Sequence, residues 1–133
     1  DNSKKFETTN DGTVTTGIAT ATSFTDASGY DLRAIPFNTQ SSSSNYDLVA
    51  SDAGKTIMAS GPVTFDVSIF DKGDVVTIIN NTNGNIAITQ GSGAALYWTA
   101  DGTTGSRTLA TRGMATIIFW HNTTGYIGGS GLT

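Results

Sequence analysis

Few side chains in this sequence are suited to catalysis. The 133 residues include a single histidine, His121, and no cysteine. A zinc site with several His or Cys ligands is therefore excluded. A Ser-His-Asp hydrolase would depend on His121, and no serine lies in a nucleophile-elbow setting. Two aspartates could still meet in three dimensions as a glycosidase pair, but no spacing selects one. We expect His121 to be a polar strand end, with no catalytic residues and no enzymatic activity.

Two other patterns resemble ligand-binding motifs, and each lacks an essential part. The sequence GKT at 54–56 resembles the end of a phosphate-binding loop, but Val49 stands where that loop requires glycine. Asp71, Asp74 and Asp101 lie in predicted turns with a spacing that fits no calcium loop. Aspartate is also favoured in turns because it forms local hydrogen bonds. We therefore expect neither a cofactor nor a metal ion.

Aromatic side chains near the ends of predicted strands are better candidates for a binding surface. Aromatic faces with polar rims are surfaces on which glycan and protein receptors stack. Large aromatics are also commonly well buried, so Trp98 and Trp120 could instead fill the core or a subunit interface. The candidate receptor-binding residues are Tyr97, Trp98, Trp120, His121 and Tyr126.

Composition excludes several classes of partner. The formal net charge is −4, and the Lys and Arg residues are scattered singly. Nucleic-acid binding needs clustered cations, so we expect no nucleic-acid partner. No apolar run approaches the roughly 20 residues that a membrane-spanning helix needs, and we expect no membrane insertion. Because the sequence begins at Asp1 without Met or a signal-peptide core, we expect an excerpt or a processed product.

The apolar pattern between residues 63 and 90 predicts three strands in an antiparallel meander. In residues 63–70, apolar side chains alternate with polar ones, which is typical of a strand with one buried face. Residues 75–79 are apolar on both faces, so this strand should be buried on both sides, in a core or under a neighbouring chain. The Asn83-Gly84 pair suits the hairpin turn before the third strand at 86–90.

The rest of the sequence predicts further short strands separated by turns. Residues 107–110 and 115–120 are predicted as two separate strands, followed by a last strand at 126–127 and a flexible Gly/Ser tail at 128–131. About eight or nine short strands at regular spacing, with no helical period, indicate an all-β fold. We expect a small antiparallel sandwich or barrel-like knob.

The N-terminal segment has a different composition. Residues 13–24 read as one long extended strand with one thinly apolar face and one face of very small residues. Such a strand buries too little surface to be ordered alone. It would be ordered against copies of itself or against the globular part, or it is a disordered leader. The serine run at 41–44 suggests a boundary between a stalk at 1–40 and a globular β domain at 41–133.

Several turn and strand patterns are similar to a known family. They resemble the C-terminal β domains of tail-fibre and related virion structural proteins of bacteriophages, especially marine ones. The leader KKFETTNDG at 4–12 is similar to stalk segments of the same fibres. The globular-domain motifs are SDAGKTI at 51–57, FDKGDVVTIINN at 70–81, IAITQG at 86–91, RTLATRG at 107–113 and YIGGSG at 126–131.

This resemblance implies a virion component with the globular domain as a knob, either a tail fibre or a head fibre or capsid decoration. It implies a homotrimer on the particle surface that contacts other virion proteins and a host surface glycan or protein. It carries over no catalytic residues, because the patterns contain none. A stand-alone carbohydrate-binding module is the alternative function.

Overall fold

The computed structural model describes residues 6–9, 12–15, 25, 29 and 34–133. The chain divides into two compact units, Asp1–Ala34 and Ile35–Thr133. In the first unit, β1 (Phe6–Thr9) and β2 (Gly12–Thr15) pair antiparallel as a hairpin. The predicted strand at 13–24 overlaps β2 at its start, and the remainder of that prediction lies outside the described residues.

The second unit is built from strands, and the prediction of an all-β protein is confirmed. The strands form one curled mixed sheet with the shape of a half-barrel. A 3₁₀ turn at Ala50–Asp52 is the helical element of this unit, and no helix in the described residues is long and apolar enough to cross a membrane. The strands are β3 (Phe37–Thr39), β4 (Tyr46–Asp47), β5 (Thr56–Ala59), β6 (Val63–Phe65), β7 (Val75–Asn80), β8 (Ile86–Gln90), β9 (Ala95–Trp98), β10 (Arg107–His121) and β11 (Thr124–Leu132).

Consecutive strands alternate between two halves of the sheet. Strands β3, β5 and β7 pair parallel in one half, which we call the β7 half. Strands β4, β6 and β8 pair parallel in the other, the β8 half. The antiparallel strand β10 joins the halves, pairing with β8 near its start and with β7 further along. Strand β11 pairs with β10, and β9 pairs parallel with β11. The chain thus makes three successive coils closed by β10.

The predicted meander is wrong, because β6, β7 and β8 are not sheet neighbours in sequence order. The apolar core lies between the two halves, so consecutive strands bury their apolar sides facing each other rather than lying side by side. Strand β6 also ends earlier than the alternation predicts. Ser68 has a positive φ of 61°, a conformation that extended strands do not contain.

The coil repeat is irregular in length. In the β7 half, Phe37 is opposite Thr56, 19 positions later, and Thr56 is opposite Thr77, 21 positions later. In the β8 half, the spacing is 17 positions from Tyr46 to Val63 and 25 from Val63 to Ile88. Repeat proteins are recognised in sequence by a constant period. The unequal spacing therefore conceals this repeat from sequence inspection.

Strand β10 is a single strand of 15 residues where two short strands were predicted. It changes direction near Arg112, which has a positive φ of 59°, and its pairing with β11 shifts register between Leu109 and Met114. The tail predicted to be flexible at 128–131 belongs to β11. Its Gly129 lies directly against the Met114 carbonyl oxygen, a position that leaves no room for a side chain. Backbone pairing with β10 thus orders this segment.

The unit boundary falls between residues 34 and 35, whereas the predicted boundary lies between residues 40 and 41. Strand β3 belongs to the second unit because it completes the β7 half beside β5. The serine run at 41–44 is the connection between β3 and β4 in the first coil. Part of it packs closely, since Gly61 lies against the backbone carbonyl of Ser43. A low-complexity sequence here marks a loop within the unit.

In the first coil, polar side chains lie at the end of the apolar core. Asn38 occupies the inward position that Ile57 occupies in the next coil, and Tyr46 occupies the position of Val63. Both side chains bind the fully buried Asp52: the Asn38 amide donates to Oδ1 at 2.8 Å, and the Tyr46 hydroxyl donates to Oδ2 at 2.8 Å. This network closes the first coil with satisfied polar groups, as burial requires.

Candidate interaction surface

The outward side chains of the β7 half, of the part of β10 that pairs with β7, and of the adjoining β11 and β9 form a broad surface, which we call the apolar face. Strand register places these side chains in rows across β3, β5, β7, β10, β11 and β9. None of the face residues is charged. They are Phe37, Thr39, Thr56, Met58, Val75, Thr77, Ile79, Tyr97, Met114, Thr116, Ile118, Trp120, Tyr126, Gly128 and Ser130.

Large apolar side chains of this face are exposed in the single chain. The exposed fraction is 59% for Trp120, 54% for Ile118, 49% for Met114 and 44% for Tyr126. An antiparallel sheet with one face in water normally presents polar residues there. The exposure of these four neighbouring side chains is therefore unusual, and contiguous apolar patches of this kind mark interaction sites.

Strand β7 has apolar residues on both sides, as predicted, but the two sides have different environments. Val76 and Ile78 are fully buried in the core. Val75 and Ile79 point to the apolar face and are half-buried. Within one chain, therefore, the inner side of β7 is fully buried as expected, and its outer side is only half-buried.

A short row of small side chains lies on the apolar face between two rows of larger ones; it ends at Phe37 on β3 and at Gly128, against which the Thr99 side chain lies. Its members are Thr56, Thr77, Thr116 and Gly128, which are register neighbours on four strands. The hydroxyls of Thr77 and Thr116 lie 3.1 Å apart and share a hydrogen bond. The larger side chains lie two residues away along each strand, so the small residues form a shallow groove. The flanking rows contain Val75, Ile118 and Tyr126 on one side, and Met58, Ile79 and Met114 on the other.

The outer surface of the β8 half has the opposite character. Asp47 and Thr64 are paired neighbours there, and Asn45 accepts a hydrogen bond from the Thr64 hydroxyl at 2.9 Å. Thr108 of β10 is exposed on this side. The two outer surfaces of one curled sheet therefore differ: the β8 half is suited to water, and the β7 half is not.

Three of the five predicted site residues lie on the apolar face. The rings of Tyr97 and Tyr126 stack with centroids 5.4 Å apart. Tyr126 is the register neighbour of Ile118 on β10, and Trp120 follows two residues later on the same face. The Lys72 ammonium lies over the Trp120 ring, 4.0 Å from its centroid, which is a cation–π distance.

The other two predicted residues lie elsewhere. Trp98 is on the inward side of β9, packed against the core, with the Arg107 guanidinium carbon 5.2 Å from its ring centroid. Its inward neighbour is Ile127, which is fully buried. His121 is exposed at the turn between β10 and β11, with Nδ1 3.4 Å from the Thr123 hydroxyl. Neither residue contributes to the apolar face.

Sequence reasoning missed three of the exposed apolar residues of this surface. Met114, Ile118 and Phe37 are exposed apolar residues that belong to the face. A signal was present in β10, where apolar residues occur at both odd and even positions from 114 to 120. Dividing this stretch into one inward and one outward set identifies Met114, Ile118 and Trp120 as the outward set, because Ala115 and Ile117 are fully buried.

The polar network around Asp52 has a structural character. Burial raises the pKa of Tyr46 above its ordinary value of 10.0, and the hydrogen bond to the Asp52 carboxylate raises it further. Asp52 also accepts a hydrogen bond from the Val49 amide at 3.0 Å. In the described part of the chain there is no pocket and no group of three or more His, Cys, Asp or Glu residues placed to hold a metal ion. The apolar face is thus the surface feature with the clearest functional meaning.

Comparison of the sequence with protein-family models gives no match, and comparison with curated proteins gives none either. The function is therefore inferred from the surface chemistry described above and from the motif resemblance in the sequence.

Proposed function

We propose that this chain is a structural protein of a bacteriophage virion, either a tail fibre or a head fibre or decoration. It assembles as a homotrimer, contacts other virion proteins and presents a surface for host attachment. The observation that supports this proposal is the uncharged apolar face with its exposed Met114, Ile118, Trp120 and Tyr126. The resemblance of the turn and strand motifs to phage fibre domains supplies the biological setting.

An uncharged apolar surface of this kind favours assembly over catalysis. Interface centres are depleted of charged residues and enriched in aromatic residues and Met, and the apolar face has this composition. Assembly and surface contact require no catalytic residue, cofactor or nucleic acid, and the proposal assigns none. The location is the surface of the virus particle.

The attachment role belongs to the end of the face near the β10–β11 turn. Trp120 is the most exposed aromatic side chain of the face, and Lys72 lies over its ring. His121 is exposed at the same turn. A protein or glycan of a host surface could stack on the aromatic ring and hydrogen bond to these polar neighbours.

The proposal predicts that the chain is part of purified virus particles. An antibody raised against residues 35–133 should label the surface of virus particles whose genome encodes the protein. Immunogold electron microscopy measures this labelling. The control is the same preparation with antibody that has been absorbed by purified protein. Particles that lack the chain by both labelling and mass spectrometry would contradict the proposal.

A stand-alone carbohydrate-binding module is the second candidate, favoured by the exposure of Trp120. In this case the chain binds glycan as a monomer. Trp120→Ala should then abolish retention on a glycan column while thermal unfolding stays unchanged. Trp98→Phe is the matched control, because Trp98 lies on the inward side of β9. Equal retention of wild type and Trp120→Ala would remove this candidate.

A further inference from the structure

We infer that the apolar face, apart from its end at Trp120, is the subunit interface, covered in the assembled protein by further copies of this chain. This inference rests on the proposed function and identifies the partner at the surface described above. The occupant is a copy of the same chain because of three properties of the face: its neutrality, its shape and its size.

Neutrality matters because identical chains carry identical charge. The formal net charge is −4, so two copies repel each other unless the contact excludes the charged groups. The acidic residues of the second unit lie outside the apolar face, in turns or on the β8 half, at Asp47, Asp52, Asp66, Asp71, Asp74 and Asp101. A copy of this chain can therefore approach through the β7 half without bringing carboxylates together. The Lys72 ammonium lies over Trp120 at one end of the face, so this charged end stays outside the contact. A strongly basic partner would find no carboxylate on the face to attract it.

The face carries both a raised row and a groove. The groove of small residues through Thr77 and Thr116 lies between raised rows that contain Ile118 and Met114. Around a threefold axis, a raised row of one copy can lie in the groove of the next copy, with the facing backbones about 10 Å apart as in packed sheets. The face thus supplies both parts of a head-to-tail contact, a raised row to one neighbour and a groove to the other, as a closed trimer requires.

The size of the face suits a stable subunit contact. Six strands at about 4.8 Å spacing, and about six residues at 3.4 Å each, give a projected area of roughly 600 Å². Each copy in a trimer would bury this area in total, divided between its two neighbours, compared with about 800 Å² that one partner buries in a standard interface; the two areas are of the same order once side-chain relief is included. The polar β8 half then faces solvent in the assembly.

Single cysteines test this inference without interference, because the chain contains no cysteine. Ile118→Cys places a thiol on the apolar face, and Thr108→Cys places one on the β8 half of the same strand. Both positions are exposed in the single chain. In the full-length assembled protein, we expect a maleimide reagent to label the Ile118→Cys variant at least 10-fold more slowly than the Thr108→Cys variant. In urea both thiols should react at the same rate.

The outcomes distinguish the inference from the proposed function. Equal labelling of the two variants in a protein with an oligomeric mass would overturn the interface while leaving the virion role intact. Protection of the Ile118→Cys thiol in a chain with a monomeric mass would also overturn it, because another part of the same chain would then cover the face. Equal labelling in a monomer would contradict both the interface and the proposed homotrimer.

A charged substitution gives a second measurement. Ile118→Lys places three like charges at the shared contact of a trimer, so the mass in solution should fall to that of a single chain at micromolar concentration. Thr108→Lys is the control and should leave the mass unchanged. Circular dichroism establishes that both variants are folded. An Ile118→Lys variant that is folded and keeps the wild-type mass would overturn the inference.

Discussion

Replacing Asp52 with alanine is expected to lower the free energy of unfolding by about 3 kcal/mol. The carboxylate is fully buried and accepts hydrogen bonds from the Asn38 amide, the Tyr46 hydroxyl and the Val49 backbone amide, at 2.8, 2.8 and 3.0 Å. Alanine would leave these three partly buried donors without this acceptor, and the Asn38 amide would keep only its hydrogen bond to the Tyr46 hydroxyl at 2.9 Å. A buried donor that loses its partner costs about 1–3 kcal/mol, and three partly buried ones together account for the expected value. Urea unfolding followed by circular dichroism measures the change.

The matched control for this prediction is Asp47→Ala. Asp47 is an exposed aspartate on β4, five residues from Asp52. Its replacement should change the unfolding free energy by less than about 0.5 kcal/mol, as is usual for surface positions. If Asp52→Ala were as stable as Asp47→Ala, the polar closure of the first coil would not contribute to stability.

Replacing Asn80 with aspartate is expected to destabilise the protein by about 4 kcal/mol at neutral pH. The side chain is fully buried, and its amide nitrogen donates to the carbonyl oxygens of Gly84, Leu109 and Ala110 at 2.8, 3.0 and 2.9 Å. In the variant, a carboxylate oxygen would face three carbonyl oxygens with no proton between them. This repulsion would occur where β10 passes from β8 to β7.

The pH dependence of the Asn80→Asp variant identifies the cause. Burial among carbonyl oxygens favours the protonated carboxyl, so the pKa in the folded variant lies above the ordinary aspartate value of about 3.9. A group whose pKa is raised by folding stabilises below its unfolded pKa and loses that stabilisation as the pH rises. The deficit relative to wild type should therefore shrink toward acid pH.

Asn81→Asp is the neighbouring control. Asn81 is exposed, and its side-chain oxygen accepts a hydrogen bond from the Arg112 guanidinium at 2.6 Å. A carboxylate at this position keeps that acceptor and pairs with the cation, so stability should be equal or slightly higher. Equal stability of the Asn80 and Asn81 variants would show that the Asn80 amide does not hold the bend of β10.

The sequence contains enough local information to predict strand content but too little to predict strand pairing. The Val and Ile content of residues 75–80 and 86–90 predicts strands, and both segments are strands with those bounds. Their pairing partners could not be predicted. The Asn83-Gly84 turn suits a hairpin between these two strands, but β7 and β8 each pair with β10. Turn chemistry describes four residues, whereas sheet neighbours depend on where the whole core lies.

The predicted binding residues illustrate the same limit. Tyr97 and Trp98 are adjacent in sequence and are equivalent candidates on sequence grounds. They point to opposite sides of β9, so Tyr97 stacks on Tyr126 while Trp98 packs against the core. Alternation along a strand separates the two residues, but which one points outward depends on the pairing of β9 with β11. That pairing is parallel and non-local, and no short motif predicts it.

An uncharged apolar sheet face is an aggregation hazard unless a specific partner covers it. The β8 half shows that this sequence can produce a polar outer surface, with Asp47, Thr64 and Thr108 on strands of the same sheet. The difference between the halves is best explained by an assembly in which only the β7 half is covered. The proposed homotrimer satisfies that requirement with a single kind of surface.

The mass of the full-length chain in solution tests this account most directly. Size-exclusion chromatography with multi-angle light scattering, repeated from high to low micromolar concentration, should give three times the chain mass of 13.8 kDa. A constant mass of 13.8 kDa over the same range, with the Ile118→Cys thiol labelled as fast as the Thr108→Cys thiol, would contradict the account.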